Sequence, residues 1–210
     1  MILIINCTKG FEFALIQNKK TIIKKKSKQL KNISEKLVVE IEKSLSKFKL
    51  NYKSIKKIIV ITGQGSFTGI RSAITFAKTL NLYLKINVIG ISKFEVLNLL
   101  TKNGYKKGEK KIFVQNNKST FFQQKFNFSG KKISMPELID LQKKKIVVNE
   151  EIRIISDGLK IKQYLDYKKK SKKANLVEIV CYRIEDIYKV AEKLSGKKYI
   201  PKPLYTKNFF

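Results

Sequence analysis

Midway along the chain, Lys57-Ile58-Ile59-Val60-Ile61-Thr62 runs into the nonapeptide Gly63-Gln64-Gly65-Ser66-Phe67-Thr68-Gly69-Ile70-Arg71. Ile70, Ala73, Ile74, Ala77, Leu80 and Leu84 then recur at helical spacing. The upstream run is β-branched and of strand length. A strand that passes through a short turn into an amphipathic helix is half of a parallel βα unit, and this points to an α/β fold. Three glycines and two hydroxyls at such a junction mean that the backbone turns tightly or approaches something closely. What it approaches decides what the chain does.

Phosphate is the first candidate, and the spacing argues against it. A Walker loop needs four residues between its glycines and then Lys-Ser/Thr. Counting from Gly63 reaches Thr68 and counting from Gly65 reaches Ile70. A dinucleotide fingerprint fails as well, because Thr68 stands where its third glycine belongs. It also calls for an acidic residue further on, and no Asp or Glu occurs between Glu42 and Glu95. A hydrolase elbow needs Gly two residues before Ser66, where Gln64 stands. The plain alternative is a helix entry with Ser66 or Thr68 as N-cap.

The chain has no histidine, which removes imidazole acid–base chemistry, Ser-His and Cys-His pairs and His-based zinc sites. Cys7 and Cys181 have no metal-ligand spacing around them and read as small buried hydrophobes in a reducing, cytoplasmic setting. No stretch has the apolar length of a membrane span, and Met1–Asn6 reads as a first buried strand. The formal net charge is +30, with 43 lysines and three arginines. So few arginines, beside abundant Ile, Asn and Phe, favour compositional bias over a specific nucleic-acid surface. A surface this basic still attracts RNA in a salt-dependent way.

Strands are predicted over 1–8, 11–17 and 20–26, joined by short turns in an antiparallel meander. A helix capped by Ser34 runs to about Phe48, followed by strand 57–62, the glycine turn, helix 69–85, strand 87–91 and helix 92–102. This βββαβαβα order is the ribonuclease-H-like pattern of actin-like (ASKHA) lobes. The polar stretch 101–108 reads as a boundary, with one subdomain at 1–103 and a second, degenerate one at 104–210, whose last helix is placed to pack back on the first. In the second, strands are predicted over 111–116, 119–128 and 152–156, a helix near 136–142, a short helix from Asp157-Gly158 to Leu165, and a helix over 184–194. The lysine run 167–173 reads as a solvated loop, and Pro201-Lys202-Pro203-Leu204-Tyr205 as a surface tail. No internal repeat stands out.

Element order and nonapeptide together resemble the bacterial TsaB family, degenerate actin-like paralogues of TsaD that act in tRNA threonylcarbamoyladenosine synthesis. The family signature Gly-Pro-Gly-Ser-Phe-Thr-Gly-[Ile/Leu]-Arg is matched by Gly63–Arg71, with Gln64 in place of Pro. Ser34-Glu35-Lys36-Leu37 is similar to the family's opening of its first helix, and Pro203-Leu204-Tyr205 to its closing Pro-x-Tyr. There are departures. Asn6-Cys7-Thr8 replaces Asp-Thr at the first strand end, and Gln115-Asn116-Asn117 replaces an Asp-Ala-Arg-like segment.

The resemblance implies a non-catalytic partner subunit that binds TsaD through two helices and works with the ATPase TsaE. The complex modifies adenosine 37 of tRNAs reading codons that start with A. It implies no metal and no cofactor of the chain's own, with ATP or ADP as a candidate for the boundary with TsaD, and a homodimer as the alternative when the chain is alone. The signature residues are Gly63, Gly65, Ser66, Phe67, Thr68, Gly69 and Arg71. Ser66, Phe67 and Thr68 would cap and wedge the helix entry, and Arg71 would reach a carboxylate or phosphate at the subunit boundary. Leu37, Val38, Ile41 and Leu45 on one helix and Ala73, Phe76, Ala77, Leu80, Tyr83 and Leu84 on the next are the candidate partner-binding residues. One face of each helix must also cover the sheet, so the interface depends on what is left over, such as Val38, Phe76 and Tyr83. The alternatives are an actin-like ATP-dependent phosphotransferase, which would need more than Asn6 and Asp157-Gly158, and a basic RNA-binding module stacking bases on Phe121, Phe122 and Phe126.

Overall fold

The computed structural model describes residues 1–28, 32–101, 108–143, 145–148, 152–167, 177–194 and 201–203. The boundary stretch, the lysine run and the tail beyond Pro203 lie wholly or mostly outside them. Of the described residues, 1–92 together with 183–194 and 201–203 form one unit, and those within 93–182 form the other.

The first unit opens with β1 (Ile2–Asn6), β2 (Phe11–Gln17) and β3 (Lys20–Ser27). It continues with α1 (Ile33–Lys47), β4 (Lys57–Ile61), α2 (Phe67–Leu84) and β5 (Asn87–Ile91), and α4 (Ile184–Lys193) completes it. Its sheet has the order β3-β2-β1-β4-β5. The β1–β2 and β2–β3 pairs are antiparallel, while β1, β4 and β5 run parallel. Residues 58–61 of β4 are all buried, as a central strand covered on both faces requires.

Leu37, Ile41 and Leu45 of α1 and Ala73, Ile74 and Ala77 of α2 join Leu3, Ile5, Ile58 and Val60 in one core. Each fully buried aliphatic side chain contributes about 1.5–3 kcal/mol. α4 buries Ile184, Ile187, Val190 and Ala191 and is tied to β3 by Lys24 Nζ donating to Glu185, at 3.0 Å. Helix α1 differs at its start from the sequence reading. It begins at Ile33, after Asn32 in a left-handed conformation, so Ser34 sits in the first turn and does not cap it. Pro201 is no surface residue either. It is buried against Gly90, where a Cβ would come within 2.7 Å of the Pro201 Cα.

The second unit holds α3 (Lys93–Leu100), β6 (Glu109–Gln115), β7 (Thr120–Asn127), β8 (Glu137–Asp140), β9 (Ile146–Val148), β10 (Ile152–Ser156), β11 (Leu165–Tyr167) and β12 (Val177–Ile179). Its main sheet has the order β12-β10-β6-β7-β8, with β6, β10 and β12 parallel and β6–β7–β8 an antiparallel meander. The first sheet's arrangement therefore occurs twice, a repeat that the residues themselves did not disclose. The segment read as a helix near 136–142 is strand β8, because Leu138 and Ile139 pair across from Phe122 and Phe121. Phe121, Phe122 and Phe126, read as base-stacking candidates, are buried core residues. The fold is a mixed α/β, actin-like one.

Candidate partner-binding surface and the glycine turn

The nonapeptide is a packing device. Ser66 caps α2, its Oγ accepting from the Gly69 N–H at 3.2 Å, and the Ser66 N–H donates to the Thr8 carbonyl at 2.9 Å. At Gly65, with φ of +153°, a Cβ would stand 2.4 Å from the Thr8 carbonyl oxygen. At Gly69 it would stand 2.3 Å from that of Cys7. The two glycines let the start of α2 press directly on the end of β1, and two of the amides a phosphate would need are already used.

Asn6, where an ATPase would hold a metal-binding Asp, bonds locally. Its Oδ1 accepts from the Thr8 hydroxyl at 2.8 Å and the Thr8 N–H at 3.3 Å. Cys7 is fully buried, and burial pushes its thiol up to about 12. Cys181, by contrast, is exposed, which corrects its reading as a buried hydrophobe. Gln64 is buried, and neither its side-chain oxygen nor its nitrogen has a hydrogen-bond partner among the described residues.

The second unit's turn follows the same logic. Asp157 accepts from the Gln115 N–H at 2.7 Å, and its other carboxylate oxygen lies 3.8 Å from Lys93 Nζ. A Cβ on Gly158 would meet Gln115 Oε1 at 2.3 Å. Asp157 and Gly158 thus join the ends of β6 and β10.

The ten candidate partner-binding residues separate into two sets. Leu37, Ile41, Leu45, Ala73, Ala77 and Leu80 are buried in the core, so they cover the sheet and are not available to a partner. Phe76 and Leu84 are half-buried, Val38 is 36% exposed and Tyr83 82% exposed. Between the outer sides of α1 and α2 lies a groove of about 700 Å³, lined by Val38, Glu42, Tyr52, Phe67, Arg71 and Phe76 with Ser and Thr side chains between them. Phe67 is 41% exposed and covered by the Arg71 guanidinium, 4.1 Å from its ring centroid. It does not wedge the helix entry from below, but forms part of the groove wall.

One groove residue, Tyr52, and one exposed residue of α2, Leu82, escaped the sequence reading. Tyr52 follows α1 in a short 3-10 turn and packs edge-on against Phe76, with centroids 6.0 Å apart. Its hydroxyl is buried without a hydrogen-bond partner among the described residues, and burial, with Glu42 nearby, raises its pKa. Leu82 adds a further exposed apolar side chain to α2. Only packing shows which way the two face.

A glycine turn sealed against the neighbouring strand, beside two helices with an apolar outer groove, is how this actin-like fold joins its first and fourth strands' ends to α2. The family described as "TsaD: tRNA N6-adenosine threonylcarbamoyltransferase" matches residues 21–110. The tRNA threonylcarbamoyladenosine biosynthesis protein TsaB of Buchnera aphidicola subsp. Schizaphis graminum is 33% identical over 96 residues, 46% of this chain and 44% of that protein. The TsaB of Buchnera aphidicola subsp. Acyrthosiphon pisum is 26% identical over 112 residues, 53% of this chain and 51% of that protein. The matched stretch thus spans about half the length of these relatives. YeaZ from Pseudomonas aeruginosa superimposes with a TM-score of 0.64 at 12% identity, covering 91% of this chain and 90% of that one. A second structure, described as similar to peptidase YEAZ from the same organism, gives a TM-score of 0.65 at 12% identity over 97% and 99%. The chain is thus similar to the TsaD family over residues 21–110, to proteins named TsaB over about half its length, and to the YeaZ structures in fold. No helix among the described residues is long and apolar enough to cross a membrane.

Proposed function

We propose that this chain is the non-catalytic partner subunit of a TsaD complex that forms N6-threonylcarbamoyladenosine at position 37 of tRNAs reading codons that start with A. The observation that carries this reading is the outer groove of α1 and α2. The turn that would hold a phosphate is closed by β1, while the helix pair above it keeps Val38, Phe67, Phe76, Leu82 and Tyr83 partly or largely uncovered. An uncovered apolar groove rimmed by polar side chains marks a protein-binding surface. Two helices meeting two helices of an actin-like paralogue bury such a groove. TsaD carries the transfer chemistry, TsaE supplies ATP hydrolysis, and this chain holds TsaD in a competent shape.

Co-expression with the TsaD and TsaE of the same cell, followed by an assay of threonylcarbamoyladenosine on tRNA, tests the reading. A Val38→Glu/Tyr83→Glu double variant is expected to abolish co-purification and modification while folding normally. Arg71→Ala is expected to weaken both. Modification by TsaD and TsaE alone, at the same rate without this chain, would end the proposal.

A further inference from the structure

Within the acid-free stretch between Glu42 and Glu95, residues 43–57 contribute only Tyr52 to the lining of the α1–α2 groove. They contain six lysines and no carboxylate, and all but Lys43, which lines a cavity between β3 and α1, fall at or after the end of α1. There the α1–β4 connection meets the β2–β3 turn around a cavity of about 620 Å³. Lys19, Lys56 and Tyr188 line it, and no Asp or Glu does. Lys49 and Lys53 are exposed and directly precede the lining residues Leu50 and Ser54. Phe48, half exposed at the end of α1, stands between two lysines in sequence. Lys57 is paired with Glu192 at 3.6 Å and takes no part.

Overall charge does not explain this arrangement, as the other lysine-rich cavity of the unit shows. That one, between β3 and α1, is about 810 Å³ and contains Glu35 and Glu40 among its lining residues. Two of its lysines are ion-paired, Lys24 with Glu185 and Lys25 with Glu40. Carboxylates there balance the cations, whereas the cavity at the α1–β4 end has none in its lining, and the nearby Glu192 is paired with Lys57. Like charges crowded without counter-charge on a groove wall attract polyanions, and an exposed aromatic ring beside them offers a base a stacking face.

We propose that this end of the first unit docks unpaired RNA, with Lys19, Lys49, Lys53 and Lys56 holding phosphates and Phe48 stacking a base. The identification of that RNA as a tRNA loop rests on the reading given above; the site itself does not. It lies apart from the α1–α2 groove, so RNA and partner protein bind the chain without competing.

The test is equilibrium binding of a labelled anticodon-loop-sized RNA to the full chain across a salt series. Lys19→Glu/Lys49→Glu/Lys53→Glu/Lys56→Glu is compared with a control of equal charge change, Lys118→Glu/Lys131→Glu/Lys143→Glu/Lys160→Glu. At about 150 mM salt the site variant is expected to bind ~30-fold more weakly, with the log–log salt slope smaller by about 3, and the control within ~3-fold of wild type. Phe48→Leu is expected to cost about tenfold for unpaired RNA and nothing for a duplex. The corresponding Lys→Gln variant serves if the Glu variant misfolds.

Equal losses in site variant and control, or no loss in either, would overturn the proposal. So would competition by polyglutamate as effective as by RNA, since that makes the surface an acidic-protein site. If TsaD fails to bind while the RNA result holds, the functional reading fails and this site stands. If TsaD binds normally while RNA binding ignores these lysines, the reverse is true.

Discussion

The inner and outer sides of the α1–α2 pair are built from similar residues and have opposite fates. Inward, Leu37, Ile41, Leu45, Ala73 and Ala77 are almost completely removed from solvent by the sheet. Outward, Val38 and Phe67 are partly exposed and Leu82 and Tyr83 largely so, with a groove between the helices. A helix needs only one apolar stripe to dock on a sheet. The second stripe is not needed to dock the helices on the sheet, and it is the second stripe that the proposed function uses. Substitutions should therefore separate cleanly, with the inner side and the turn beneath it controlling stability and the outer side controlling association.

The largest effect is expected at the joint. Gly69→Val would drive a side chain into the Cys7 carbonyl, and equilibrium urea unfolding should show a loss of more than ~4 kcal/mol or no folded protein at all. Ile41→Ala on the inner side should cost about 2–5 kcal/mol in the same measurement. Alkaline titration reads the joint from beneath. Below pH 9.0, the ordinary value of the thiol, Cys7 is protonated whether the chain is folded or not, and its contribution is intact. As pH rises from there towards about 12, the unfolded chain ionises and the folded one resists, so stability falls. The loss should approach ~4 kcal/mol at pH 12 and be absent in Cys7→Ala.

Gln64→Met should sharpen the picture in the other direction. Removing a buried amide without partners should gain about 1–3 kcal/mol, seen as a higher urea midpoint at unchanged slope. The smallest stability effects belong to the outer side. Val38→Ala and Tyr83→Ala should stay within about 0.5 kcal/mol of wild type. A loss there as large as that of Ile41→Ala would mean that the two sides are not distinct.

The first unit was legible in the sequence because its strands run five to eight residues and its two main helices 15 and 18, long enough for both periodicities to show. The second unit was harder to read. Strands β9, β11 and β12 are three residues each, too short for any alternation. β8 was mistaken for a helix because Leu138, Ile139 and Leu141 follow Pro136 as they would in a first helical turn. Only the facing β7 strand decides otherwise.

At the site, Ser66 was correctly read as one of two candidate caps. What the glycines approach, the end of β1, is a contact between residues some sixty positions apart, and no local pattern encodes it. The same holds for which half of each helix face is used up by the sheet. Periodicity marks a residue as apolar at the right spacing, but burial depends on how the two helices lean on each other.

The most direct test is calorimetric titration of TsaD from the same cell into four forms of the chain: wild type, Ile41→Val, Val38→Glu and Tyr83→Glu. Wild type and Ile41→Val should bind with one affinity and one-to-one stoichiometry, and the two outer-face variants at least ~30-fold more weakly with unchanged thermal stability. Equal affinity in all four would place the partner somewhere other than the outer groove of α1 and α2 and contradict the account.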